Sequence, residues 1–385
     1  MRQKSEPSPI GNVTRIAIFL PSLDGGGAER AMVALANGLH AAGEPVDLVL
    51  VRAQGPYLAE VSPGIRIIDL QGDRALSALL PLVHYLRCER PRIMMAVMTH
   101  VALVALVARI LARVPVPLLV SERISLAGAR SLTRGWSSRI MWRGVQLLYP
   151  RADRIVAVSE ALADELRAAL RVMPGKIQVL YNPVISPGFD ELRNQPADHP
   201  WFQEAATIPV IFAAGRLHAQ KGFDTLIEAF ARVHRTRRAR LLILGEGEDR
   251  VSLMRMAKDL GVAGDVDFPG FVVNPFPTMN RADLVVLSSR FEGLPNVLIQ
   301  AMACGIPVVA TNCPTGPGEI LENGKWGRLV PVGDVEEMTI AISASLSARD
   351  HPDVESRAAY FSRDAAVAQF LSITAEVLRE RASRA

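Results

Sequence analysis

At 385 residues, 49% hydrophobic and 21% charged, the chain is too long for one ordinary core and too apolar for disorder, so two domains are expected. Cys88, Cys304 and Cys313 are an odd count with no CxxC spacing, which argues against a disulfide framework or a zinc site and fits a reducing cytoplasm. The net charge of +4 is uneven, with 22 Lys and Arg against 14 Asp and Glu up to Ile185 and 21 against 25 beyond it, so the front half is the one expected to meet an anionic partner.

The opening "MRQKSEPSPIGN" reads as a loose polar tail, not a signal peptide. "RIAIFLP" is a strand and "AERAMVALANGLHAAG" a helix. Between them stand Gly25, Gly26 and Gly27, where backbone amides can approach a ligand and a helix N-terminus favours an anion. A tight turn is the alternative, and the spacing is not the GxGxxG of a dinucleotide fold. "PVDLVLV" and "IRIIDL" are strands, and "RIMMAVM" is a strand with His100 at its end. His100 is a candidate for the ligand edge, with a capping or core histidine as the alternative. The helix from "VALVALVARILA" carries Arg109 and is too short to span a bilayer. "VPLLVS" runs into Glu122 and Arg123, which face an acceptor or form a structural ion pair.

Arg123, Arg130, Arg134, Arg139, Arg143, Arg151 and Arg154 follow with no acid before Asp153, and Trp136, Trp142 and Tyr149 are interleaved. Such a basic helix suits an anionic membrane surface, or it packs Ile140, Val145 and Leu148 on the core. With no base-reading module, nucleic acid is not an expected partner. "DRIVAVS" and "EALADELRAALR" close this series as strand and helix.

A Pro- and Gly-containing linker spans Asn182 to Pro200, dividing the chain into domains 1–188 and 189–385. A second series has strands "IPVIFAAGRL", "ARLLILG", "VDFPG", "ADLVVLS", "IPVVAT" and "GRLVPV", and the tail after Asp350 reads as helix that packs back toward the first domain. Strands separated by helical patterns imply parallel sheets, hence an α/β fold of two Rossmann-like, doubly wound domains. Ligands bind such sheets at the carboxyl ends of the strands. There the second domain places Arg216 and Lys221, in "GRLHAQKG", as a diphosphate clamp. It also places Glu292, in "SSRFEGLPNVLIQAMACGIPVVA", at the same edge, where the pattern alone leaves open which ligand it meets.

"GRLHAQKG", "LGEGEDR", "FPGFVVNP", "RFEGLPNVLIQAMACGIPVVAT" and "GPGEILENGKWGRLVPVGD", in this order, resemble the retaining glycosyltransferases of family 4, whose GT-B architecture sets two Rossmann-like domains across a cleft. The resemblance spans Asp24 to Asp334 and is dense after Ile208. It implies transfer of a sugar, with retention, from a nucleotide-diphosphate sugar, which is a substrate and not a cofactor. Arg216 and Lys221 would hold the diphosphate and Glu292 the transferred sugar, with Gly293, Leu294 and Asn296 lining the site. Backbone near Phe271 and Val272 would read the base. His100, Gly26 and Gly27 would approach from the first domain. The family's second glutamate, at the ribose, is Gln300 here, whose amide oxygen still accepts a hydrogen bond.

No DxD-type acidic cluster stands at a strand end, so no metal is expected, and no carboxylate pair is placed as a glycosidase needs. "TNCPTGPGEIL" is similar to members that build surface polysaccharide. It points to a UDP-sugar, a glycan or polyprenyl-diphosphate-linked acceptor, and a cytoplasmic protein peripheral to the membrane. A nucleotide-sugar epimerase of the same architecture and a non-catalytic nucleotide-sugar binder are the alternatives.

Overall fold

The computed structural model describes residues 14–125, 136–203 and 208–383; the expected loose tail lies outside them. The first series runs β1 (Ile16–Leu20), α1 (Gly27–Ala41), β2 (Val46–Leu50), β3 (Arg66–Asp69), α2 (Leu79–Glu89), β4 (Ile93–Val97), α3 (Thr99–Ala112), β5 (Leu118–Glu122), α4 (Trp136–Leu148), β6 (Arg154–Ala157), α5 (Glu160–Ala169) and β7 (Ile177–Val179). A short helix, α6 (Phe189–Arg193), lies in the linker. The second series runs β8 (Val210–Ala214), α7 (Phe223–Thr236), β9 (Arg240–Leu244), α8 (Arg250–Asp259), β10 (Val266–Gly270), α9 (Phe276–Met279), β11 (Leu284–Leu287), α10 (Asn296–Ala303), β12 (Val308–Thr311), α11 (Pro317–Ile320) and β13 (Arg328–Val330). Three helices follow, α12 (Val335–Ser347), α13 (Val354–Ala358) and α14 (Arg363–Ala382).

The strands pair in parallel throughout, in the orders β3-β2-β1-β4-β5-β6-β7 and β10-β9-β8-β11-β12-β13. Ile16 of β1 sits beside Val46 on one flank and Ile93 on the other. Every residue of β1, β2, β4 and β5 is buried, the mark of a sheet covered by helices on both faces. Strand order reverses between β1 and β4 in the first sheet and between β8 and β11 in the second. Those are the two switch points where a ligand crevice opens.

Helix α1 buries Met32, Leu35, Ala36 and Leu39, an i, i+3, i+4, i+7 stripe. The other side of its packing comes from the far end of the chain: Ala366, Val367, Phe370, Ile373 and Val377 of α14 share one core with Ile16, Leu35 and Leu48. The approach is close enough that a Cβ on Gly38 would stand 2.6 Å from Val367 Cγ2. The chain thus crosses between the domains twice. The outward and return crossings are hydrogen-bonded together, Val184 N–H to the Phe361 carbonyl at 3.0 Å and Arg363 N–H to the Ile185 carbonyl at 2.8 Å.

Two elements go beyond the expected alternation. Helix α2 carries a proline in its first turn, and β7 is a three-residue edge strand.

Candidate active site

Lys221 ends a one-turn 3-10 helix, and Gly222 after it has φ 61°. A side chain there would overlap the Ser288 carbonyl, so glycine is what lets this turn press against the loop after β11. Four hydrogen bonds fasten the two, one of them from Arg290 Nη1 to the Ala219 carbonyl. Ser288 Oγ donates to the Lys221 carbonyl at 2.8 Å, Arg290 N–H to the Gln220 carbonyl at 2.7 Å, and Gln220 Nε2 to the Phe291 carbonyl at 2.9 Å. The result is an ion pair, Lys221 Nζ to Glu292 Oε1 at 2.6 Å, with Ser289 Oγ donating to the same oxygen at 2.6 Å. Both side chains are largely buried. Sequence reasoning gave these residues to different parts of a ligand; the structure makes them partners, so a bound phosphate would share the lysine with the carboxylate.

Arg216 is exposed at the end of β8. Phe271 and Val272, just past β10, are 45% and 38% exposed, and the Phe271 ring lies against Gly25 of the other domain. Gln300 is half-buried one helical turn beyond Asn296.

The segment Glu292–Asn296 is also where the domains touch. Ser125 N–H donates to the Glu292 carbonyl at 3.0 Å, and Ser159 Oγ, which caps α5, donates to the Gly293 carbonyl at 3.0 Å. A side chain on Gly293 would overlap the Arg123 carbonyl. Leu294 is buried in the core. Asn296 does not aim its amide at a donor: Nδ2 donates to the Gly27 carbonyl at 2.9 Å and Oδ1 accepts from Asn182 Nδ2 at 2.6 Å. Arg30 stacks over Phe276, 5.0 Å from the ring centre, and adds to the closure.

In the first domain, Gly26 is the N-cap of α1 and Gly27 its first residue, and of these three glycines Gly25 alone has positive φ. His100 is exposed in the first turn of α3, and desolvation of its ring holds its pKa below the ordinary value. Met98 before it has φ 79°, a conformation costly to a residue with a side chain and found mainly where geometry matters.

Glu122 and Arg123 are corrected. Glu122 does not face the cleft, Arg123 turns into the seam between the domains, and neither has the other as hydrogen-bond partner. Glu122 is fully buried beneath the α3 turn, accepting from Thr99 Oγ1 at 2.9 Å and from the Tyr149 hydroxyl. Burial pushes its carboxyl up to about 7. Arg123, half-buried, donates to Asn182 Oδ1 and lies 3.0 Å from Met32 Sδ, and desolvation brings its guanidinium down to about 10.

The basic stretch is corrected too. Arg154 is buried and paired with Glu380; Arg130 and Arg134 lie outside the described residues. Arg139, Arg143 and Arg151 are exposed beside exposed Ile140, Met141 and Leu147, while Val145 is buried. Ile140 therefore does not pack on the core. Helix α4 packs on α3, which packs on α2, and those two add exposed Ile110, Leu111 and Leu80. The three cysteines are free.

One cleft residue escaped the sequence reading. Glu29 stands three residues past the N-cap Gly26, a capping-box spacing, and folds its carboxylate back onto Gly26.

Two family models match in tandem, Glycosyltransferase Family 4 over residues 25–185 and Glycosyl transferases group 1 over residues 208–348. The chain belongs to the family 4 glycosyltransferases. This glycosyltransferase-family chain is 37% identical over 179 residues to a lipopolysaccharide core biosynthesis glycosyltransferase of Rhizobium meliloti, covering 44% of this chain and 51% of that one. It is 31% identical over 194 residues to the N-acetylgalactosamine-N,N'-diacetylbacillosaminyl-diphospho-undecaprenol 4-alpha-N-acetylgalactosaminyltransferase of Campylobacter jejuni, covering 50% and 51%. The chain thus spans about half the length of these curated relatives. In fold it is similar to Anabaena HepE in complex with UDP and glucose, with TM-score 0.77, 20% identity, and 94% and 100% of the two chains covered. It is likewise similar to a sucrose-phosphate synthase of Thermosynechococcus elongatus, with TM-score 0.76, 20% identity, and 95% and 100% covered. Two parallel sheets in this arrangement are the GT-B fold.

Proposed function

We propose that this glycosyltransferase moves a sugar, with retention, from a UDP-sugar to a glycan or lipid-linked glycan acceptor in envelope polysaccharide synthesis. The observation that carries this reading is the Lys221–Glu292 pair at the second domain's switch point, with exposed Arg216 just after Gly215, whose backbone packs on the Lys221 side chain. Two cations at one strand edge suit a diphosphate, and a carboxylate in the loop between β11 and α10 suits sugar hydroxyls.

Acceptor and donor meet in the closed cleft. The acceptor oxygen bonds to the anomeric carbon on the face that the diphosphate leaves. The bonding pair departs with the diphosphate, and a departing phosphate oxygen takes the acceptor's proton. Lys221 and Arg216 stabilise the charge that develops there, and the domain contact at Gly293 excludes water. Gln300 accepts a ribose hydrogen bond worth about 1 kcal/mol. The names of the Campylobacter relative and of the UDP-bound neighbour support this choice of acceptor and donor class.

A thermal-shift screen over nucleotide sugars, followed by product analysis with the best binder, tests the reading. A ligand at 100 times its Kd stabilises by about 2.7 kcal/mol. UDP released only with an acceptor present is the expected result. An epimerised nucleotide sugar, or binding without turnover on any acceptor, replaces the reading by an epimerase or a binder.

A further inference from the structure

A carboxylate can accept about four hydrogen bonds, two on each oxygen. In Glu292 one oxygen is already full: Oε1 accepts from Lys221 Nζ and from Ser289 Oγ, each at 2.6 Å. Among the described residues none donates to Oε2, although the side chain is only 9% exposed. Oε2 is therefore the half of the carboxylate left for a ligand, and its aim depends on what holds Oε1.

The two donors on Oε1 differ. Lys221 is a cation on a flexible stem, and a bound diphosphate competes with Glu292 for it. Ser289 is neutral and fully buried, and its main chain is pinned. Its carbonyl accepts from Thr311 Oγ1 at 2.5 Å, and its neighbours Ser288 and Arg290 are tied to the Lys221 turn. The Glu292 carbonyl is held as well, by Ser125 N–H at 3.0 Å and by the Thr315 hydroxyl. A carboxylate with its main chain fixed and one oxygen bonded to a rigid donor cannot turn freely.

We propose that Ser289 is a positioning residue, which keeps Glu292 Oε2 turned toward the hydroxyls of the transferred sugar while Lys221 serves the diphosphate. The inference rests on the transferase reading above and deepens its donor site. Ser289 touches no substrate and acts through Glu292 alone, as a supporting group behind a binding side chain does. Its effect is therefore confined to the sugar half of the donor.

The experiment measures the affinity of the full chain for UDP, UDP-glucose, UDP-galactose and UDP-N-acetylglucosamine by calorimetry, with Tm alongside. The proteins are wild type, Ser289→Ala, Ser289→Cys, Glu292→Ala and Ser289→Ala/Glu292→Ala. UDP is the reference within each protein, so a change in the nucleotide site cancels. For the sugar nucleotide that wild type holds best, Ser289→Ala should weaken binding about tenfold relative to UDP, with UDP itself kept within about twofold. Ser289→Cys, close in volume and a weak donor, should show the same loss with its Tm retained. With Glu292 already alanine, Ser289→Ala should cost nothing further. An unchanged ratio of sugar-nucleotide to UDP affinity in both Ser289 variants overturns the proposal, and so do fully additive losses in the double variant. A fall in Tm that takes UDP and sugar-nucleotide affinity down together also overturns it and leaves Ser289 a packing residue. Glu292→Ala with every affinity unchanged removes the sugar from Glu292, and a wild type that binds none of the four ligands sinks the transferase reading; either takes this inference with it.

Discussion

Lys221 and Glu292 satisfy each other in a largely buried position, so removing one partner has two separate effects. Lys221→Ala withdraws positive charge from the leaving diphosphate, and kcat/KM is expected to fall about 100-fold, read as UDP release in the presence of acceptor. It also strands a buried carboxylate, and urea unfolding should show a loss of about 3 kcal/mol that is partly restored in the Lys221→Ala/Glu292→Ala double variant. Full stability in the single variant would mean that the pair opens to water. Glu122 gives a pH signature. Its carboxyl is raised from 4.5 to about 7 by burial, so between those values the folded protein holds a proton that the unfolded chain has lost. Stability contributed by this group is therefore greatest below about pH 4.5, falls as pH rises through about 7, and levels above. Glu122→Gln mimics the neutral acid. It should match the wild type in urea at pH 5 and exceed it at pH 8; equal differences at both pH values would show that Glu122 is charged throughout. Both pairs were only half legible in the sequence. Lys221, Arg216 and Glu292 could be found because strand-to-helix edges are visible as an apolar run followed by a helical pattern. Their mutual contact, and the burial of Glu122 under Thr99 and Tyr149, depend on loops that pack across 71 and 27 positions of sequence, which no local pattern encodes.

Among the elements, α14 was legible as a helix and its tight seat on α1 was not. Its apolar residues Val367, Phe370 and Ile373 need a partner, but nothing in their spacing names Gly38 as the notch. Gly38→Val would set a branched side chain where Val367 Cγ2 is 2.6 Å from the Cβ position and Arg363 Cγ is 3.0 Å. The expected loss is about 1–3 kcal/mol of overpacking, measured by urea unfolding, with α14 the first segment to lose hydrogen-exchange protection. A variant as stable as wild type would show that α14 slides freely on α1. Helix α4 teaches the converse. Its basic and aromatic composition was plain, but which arginines face outward is a matter of tertiary placement. Arg154 pairs inside with Glu380 and Arg123 turns into the domain seam.

For the molecule as a whole, the excess positive charge of the front half narrows to a specific face. Arg139, Arg143 and Arg151 stand with Ile140, Met141 and Leu147, close to the exposed apolar residues of α2 and α3. Among the described residues no helix is long and apolar enough to cross a membrane. Each arginine near an anionic surface contributes about 1 kcal/mol. The attraction should fade as the Debye length shortens from about 10 Å at 0.1 M salt to 3 Å at 1 M. The expected outcome is co-sedimentation with vesicles containing anionic lipid, little with neutral vesicles, release by high salt, and weakening in Arg139→Gln/Arg143→Gln with UDP affinity intact. Equal recovery with neutral and anionic vesicles, or none with either, returns α4 to the role of a solvated helix.

The return of α14 to the first domain has a consequence for how the protein is made. Phe370, Ile373 and Val377 complete a core whose other members are Ile16, Leu35 and Leu48, so the first half emerges from the ribosome with one hydrophobic face uncovered. At 5–20 residues per second, the wait from the end of the first half until Val377 is synthesised is on the order of 10 to 40 s. During that interval the bare face of α1 is an aggregation hazard and a natural site for a chaperone to hold. The pairing of the earliest helix with the last one described also makes this a slow-folding topology, whose final step is docking of a 20-residue helix that arrives after everything else is in place.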